Sequence, residues 1–146
     1  MAGGGDLPDA KLLLEGRIGD DGRYIEEHLL ATTVGQDAAL TKDGTSPVRP
    51  LVFLNACQVG RLFHAPLGIG GFAESFINAG AGAFVSSLWS VGDEPAGTFG
   101  ATFYTRLKAG DTLAAATVAA REAARVANDA TWLAYVVYGH PDAVLA

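Results

Sequence analysis

The chain has one cysteine, Cys57, among 146 residues. An internal disulfide framework is thereby excluded, and the usage suits a reducing cytosol. Basic residues are sparse as well, with 10 Lys and Arg against 16 Asp and Glu and a formal net charge of -6. No Lys/Arg cluster occurs anywhere, which argues against a nucleic-acid-binding surface. No apolar run approaches the length of a membrane span. Residues 1–10 (MAGGGDLPDA) lack both the basic and the apolar regions of a signal peptide. These absences together point to a cytoplasmic protein without a membrane or nucleic-acid partner. No Cys/His cluster with metal-ligand spacing and no Walker A string is present, so neither a metal nor a cofactor is expected. There is also no internal repeat.

What the chain does have is apolar bulk. Hydrophobic residues make up 49% of it, enough to fill the core of one domain spanning residues 1–146. Residues 11–15 (KLLLE) read as a short strand, and Asp21-Gly22 as a turn. In residues 24–31 the positions of Ile25, His28 and Leu29 predict a helix. Residues 32–50 are polar, contain Pro47 and Pro50, and predict a surface loop. Residues 51–56 form an apolar, β-branched run that reads as a strand covered on both faces. A long loop over 58–70 precedes a helix at about 71–79, closed by Gly80. Residues 83–89 (AFVSSLW) read as a second buried strand. A helix then opens on Asp93, Glu94 and Pro95, with Phe99, Phe103 and Leu107 on one face. Gly110 ends it, and Asp111 or Thr112 caps a further helix running to about Asn128. Residues 132–138 (WLAYVVY) read as the last strand. This alternation predicts an α/β fold with a mostly parallel sheet.

In such sheets chemistry gathers just beyond the carboxyl ends of the strands, which is where the strand 51–56 delivers Cys57. A lone thiol there is a candidate nucleophile; the alternative is a small buried hydrophobe. Asn55 and Gln58 flank it. Asp93 and Glu94 serve the start of a helix in one reading and line a pocket in another. Ser86 and Ser87 read as hydrogen-bonded core residues, and Trp89 as a pocket wall or core. The string Gly68-Ile69-Gly70-Gly71-Phe72-Ala73 fits a dinucleotide fingerprint, with Asp93 some way downstream. That fingerprint needs its glycines directly after a strand, and here about eleven residues intervene, so the match is read as accidental.

The residues at these positions resemble a known family in order. Leu54-Asn55-Ala56-Cys57-Gln58-Val59-Gly60 resembles the "LSACETG" strand end of CHAT domains, relatives of the caspase- and separase-like cysteine peptidases of clan CD. Residues 70–81 resemble "GEGLVGLARAFLLAGA", residues 85–94 resemble "VVASLWPVDDE", and Phe103-Tyr104 matches an "FY" pair. Residues 114–124 resemble "AEALRAAQRA", and residues 132–139 resemble the closing "WAAFVLYG". The resemblance implies a caspase-like three-layer sandwich and a protease that hydrolyses peptide bonds through a Cys/His dyad. Cys57 would be the nucleophile and protein or peptide the substrate. Asp93 would be a specificity residue for a basic P1 side chain, with Asn55 and Gln58 lining the same cleft. It also implies an upstream helical-repeat or regulatory region.

One element of the family pattern is missing. Members carry a His-Gly pair just upstream of a segment like residues 8–14, and here that place is Met1-Ala2-Gly3-Gly4-Gly5. Gly3 would stand where the family's glycine supplies an oxyanion N–H. The expectation is therefore a domain portion incomplete at its N-terminus, without its catalytic histidine and inactive as this chain alone. His28, His64 and His140 are the histidines present; none occupies the family's base position. A missing neighbour for strand 51–56 would leave an open sheet edge, which predicts self-association. Two other readings stay open: a catalytically inactive interaction module of the same fold, and a small-molecule-binding α/β domain.

Overall fold

The computed structural model describes residues 11–41, 48–55, 71–125 and 129–146. Its centre is a three-stranded sheet in the order β5 (Leu51–Leu54), β6 (Ala83–Ser87), β7 (Tyr135–Gly139). The middle strand β6 is buried along its whole length. It pairs in parallel with β5, Leu51 opposite Ala83 and Leu54 opposite Ser86. It pairs antiparallel with β7, Ala83 opposite Gly139 and Ser87 opposite Tyr135. Among the described residues β6 is the one strand neighbour of β5.

Helices cover both faces, so the domain is an α/β three-layer sandwich. On one face α3 (Asp93–Lys108) and α4 (Leu113–Ala123) pack against Val85, Phe53 and Tyr135. The stripe legible in the sequence is the one buried: Phe99 and Phe103 are 0% exposed and Leu107 4%. On the other face α1 (Ala31–Asp37) and α2 (Phe72–Asn78) bury Val34 and Phe72 against Phe84. Alternation along β6 decides this division, because Phe84 points to one layer and Ala83 and Val85 to the other.

Local chemistry ends the helices where expected. After α2 the N–H of Gly80 bonds Ile77 O and that of Ala81 bonds Phe76 O. After α3 the N–H of Gly110 bonds Leu107 O and that of Asp111 bonds Arg106 O. Both are Schellman closures, which need a left-handed residue; Gly80 (φ 108°) and Gly110 (φ 92°) supply it. Thr112 caps α4, its hydroxyl accepting from the Ala115 N–H at 3.2 Å. The next free donors of α4 are met by the chain's last turn: Leu113 N–H bonds Ala143 O and Ala114 N–H bonds Pro141 O.

Within this α/β sandwich the described sheet is mixed, with one parallel and one antiparallel pairing. The long helices α3 and α4 lie between β6 and β7, so the chain runs down α3, returns up α4, and enters β7 from the end where β6 finished. Residues 24–31 are not a helix. They hold β3 (Tyr24–Ile25) and β4 (His28–Leu30), paired with β2 (Arg17–Ile18) and β1 (Lys11–Leu13). Antiparallel pairing of the HLL and KLL runs satisfies six apolar-rich residues at once and outweighs a short amphipathic helix. The helix falls instead on residues 31–37, inside the stretch expected to be loop, because Ala31 and Val34 reach the Phe72–Phe84 cluster. The last strand is also preceded by a single turn, α5 (Thr131–Ala134), so β7 begins at Tyr135.

Candidate active site

Strands β5 and β6 end side by side, and β7 begins there, since Ser87 faces Tyr135. This edge gathers Asn55, the residue after β5, the segment 88–92 that leaves β6, and the N-terminus of α3. Asn55 is exposed. Its Oδ1 accepts a hydrogen bond of 2.8 Å from the Tyr135 hydroxyl. Tyr135 is 0% exposed, and its ring lies flat on Phe99 at 3.8 Å between centroids and 6° between planes. Phe53 flanks the same ring at 6.0 Å. The Arg121 guanidinium donates to the Tyr135 carbonyl at 2.9 Å. A buried aromatic cluster beneath the sheet thus reaches the end of the edge strand through a phenol, a group with an apolar body and one polar tip.

A second brace holds the loop beyond β6. The Leu88 N–H bonds Ala134 O at 2.9 Å. The Gly92 N–H donates to Thr131 Oγ1 at 3.2 Å, and the Thr131 N–H donates to Asp129 Oδ1 at 2.6 Å. Bonds from the Thr131 side chain and backbone hold the Asp129 carboxyl below its usual pKa. Gly92 lies in this brace immediately before Asp93, the first residue of α3. Asp93 and Glu94 are both exposed, and their charges complement the helix N-terminus by about 0.3–1 kcal/mol each. Trp89 is 42% exposed and is therefore not core. Ser86 and Ser87 are buried as expected, but Ser87 Oγ has no hydrogen-bond partner among the described residues.

The structure thus brings Asn55 and the Asp93 loop to one end of the sheet. Cys57, Gln58, Gly3 and His64 lie outside the described residues. His140 follows β7 at the opposite end of the sheet, since Gly139 pairs with Ala83; four residues of strand, about 13 Å, separate the two ends. His28 is in the small β1–β4 sheet, opposite Leu13, with Glu26 at 3.5 Å from its Nε2. Tyr135 is the residue that sequence reading missed. A tyrosine in an apolar strand signals a buried hydroxyl seeking a partner, but which partner depends on the register of β7.

A family model for the CHAT domain matches residues 12–140. The chain is a member of the CHAT domain family. The match runs from β1 to the residue after β7 and so takes in every described element. It makes this a caspase-like fold related to cysteine peptidases. A search of curated proteins finds no match to the chain. In this CHAT domain no helix among the described residues is long and apolar enough to cross a membrane.

Proposed function

We propose that this CHAT domain carries the nucleophile of a cysteine endopeptidase, with Cys57 attacking the peptide carbonyl to form a thioester. The observation that supports it most is the anchoring of Asn55. The end of the strand two residues before Cys57 is tied to the core by a buried phenol, as a site needing fixed geometry requires. The base of this reading is an imidazole; His140 lies at the far end of the sheet from Asn55, and His28 sits beside Glu26 in the separate β1–β4 sheet. The dyad therefore needs a histidine beyond the described residues. With one, the thiol becomes a thiolate and the imidazolium protonates the leaving amine.

Asp93 is the specificity residue of this reading. It is an exposed carboxylate on the first residue of α3, next to the braced Gly92 at the same sheet end, suited to a basic P1 side chain. A peptidyl-arginine chloromethyl ketone should alkylate Cys57 faster than its peptidyl-norleucine counterpart. Asp93→Asn should reduce that preference by about tenfold, the size of one charge-assisted hydrogen bond. Equal rates for the two reagents in the unaltered chain would remove Asp93 from the role.

The outer edge of β5 completes the reading. Four backbone units without a second strand neighbour among the described residues favour pairing with another copy. Sedimentation velocity should show concentration-dependent dimers, and a monomer throughout the micromolar range would rule that out. The small-molecule reading is less well supported. An apolar pocket of about 350 Å³, lined by residues including Leu51, Ala83, Leu107 and Leu113, lies at the opposite end of the sheet from Asn55. Ligands of open α/β sheets favour the carboxyl ends of the strands.

A further inference from the structure

The end of the sheet away from Asn55 opens into the cavity of about 350 Å³. Leu51 and Ala83, the first residues of β5 and β6, line it beside Leu107 near the end of α3 and Leu113 at the start of α4. Ala83, Leu107 and Leu113 are buried, so this floor belongs to the core. The rim is different. Val48, Val144 and Leu145 also line the cavity, and they are 59%, 60% and 47% exposed. Single apolar side chains on a surface need no explanation, but three around one cavity form a patch of the kind that marks a binding groove. The rim is anchored on one side, because Ala143 O accepts from the Leu113 N–H at 2.8 Å.

One charged side chain lines this cavity, that of Arg49, and no Asp or Glu does. Arg49 is exposed and makes no ion pair or side-chain hydrogen bond among the described residues. Its backbone is held in place: the Gly82 N–H bonds Pro50 O at 2.9 Å, and a Cβ on Gly82 would stand 2.9 Å from Arg49 Cβ. Glycine at this position lets the two segments lie so close. A larger cavity of about 910 Å³ on the α2 side also reaches Arg49, but Glu74 lines that one and repels an anion.

We infer that the smaller cavity binds an aliphatic carboxylate, with its chain among Leu51, Leu107 and Leu113 and its head group on Arg49. A carboxylate is the anion whose two oxygens match the guanidinium fork. The size fits as well: at roughly 30 Å³ per heavy atom, the share of one water in the liquid, 350 Å³ holds about a dozen, as many as decanoate has. Concave, mainly apolar sites of this volume with one polar anchor are those that take small molecules. The position, at the far end of the sheet from Asn55, makes this a binding site separate from the proposed chemistry. The inference does not depend on the reading of Cys57.

The test titrates the full chain with sodium decanoate and with 1-decanol, each below the concentration at which it self-associates, by isothermal calorimetry and thermal melting. Decanoate should bind saturably at one site and raise the melting temperature. Arg49→Gln should weaken decanoate about three- to fivefold, the worth of a partly exposed ion pair, and leave 1-decanol unchanged. Arg17→Gln makes the same change in net charge outside the cavity and should affect neither. Leu145→Ser, at a half-exposed rim position, should weaken both ligands to the same extent. Absence of saturable decanoate binding would overturn the inference. So would decanoate affinity unchanged in Arg49→Gln, or affinity for both ligands unchanged in Leu145→Ser, which would place the site elsewhere. Dimers in sedimentation that Leu145→Ser abolishes would assign the rim to a second copy of the chain and overturn it as well.

Discussion

Phe99→Ala should lower the stability of the domain by about 3–5 kcal/mol, the range for removing a buried aromatic from a packed core. Such a loss approaches the whole stability of an ordinary domain. Phe99 is 0% exposed. It touches three aromatic neighbours: Tyr135 at 3.8 Å, Phe103 at 5.9 Å and Phe53 at 6.3 Å between centroids. These come from β7, α3 and β5, so one side chain joins the helix layer to both outer strands of the sheet. Removing it also takes away the surface on which Tyr135 lies, and with it the anchor of Asn55. Urea titration followed by far-UV circular dichroism should show a midpoint far below that of the unaltered chain, or no folded baseline. Phe99→Leu, which retains most of the volume, should cost much less. A cost below about 1 kcal/mol for Phe99→Ala would mean that the aromatic cluster does not hold these layers together.

Cys57→Ser should abolish covalent capture of the peptidyl-arginine chloromethyl ketone. The chain has no second thiol, so labelling read by intact mass should fall to background rather than to a reduced rate. A serine hydroxyl without a base stays protonated and is a poor nucleophile, whereas a free thiol is a few per cent thiolate at pH 7. The same substitution should abolish peptide hydrolysis in any form of the protein that supplies the dyad histidine. It should leave the melting temperature within a few degrees of the original, since it removes no large apolar group. Labelling that persists in the serine variant would place the reactive group elsewhere in the chain.

The parts of this fold that a sequence shows well are those where one periodicity dominates. The Phe99–Phe103–Leu107 stripe and the glycines after α2 and α3 are local signals, and the structure uses them as read. Thr112 is another, since a hydroxyl before an alanine-rich run has little to do but cap it. Residues 24–37 show the opposite case. Ile25, His28 and Leu29 have helical spacing, yet strand partners at Arg17–Ile18 and Lys11–Leu13 decide their conformation, and that pairing is not written in residues 24–31 themselves. The polar, glycine-containing stretch 31–37 becomes helical because Ala31 and Val34 meet Phe72 and Phe84 from distant parts of the chain.

The site divides in the same way. Asn55 could be picked out because it flanks Cys57, and Asp93 because it opens a helix. Tyr135 could not, because its hydroxyl meets Asn55 across 80 positions of sequence. That meeting exists only because β7 runs antiparallel to β6 and starts where β5 ends. The Asp129–Thr131–Gly92 brace was hidden for the same reason, as its polar groups belong to a turn whose place depends on how α4 returns the chain.

The central proposal is that Cys57 acts as a nucleophile rather than as a small core hydrophobe. The most direct measurement is its alkylation by iodoacetamide in the native chain and in urea, followed across pH 6–10. The account predicts a native rate within about tenfold of the unfolded rate near pH 8, where an ordinary thiol of pKa about 8.5 is partly ionised. Protection by about a thousandfold or more in the native chain would mean that the thiol is buried as a small hydrophobe. That result would contradict the account.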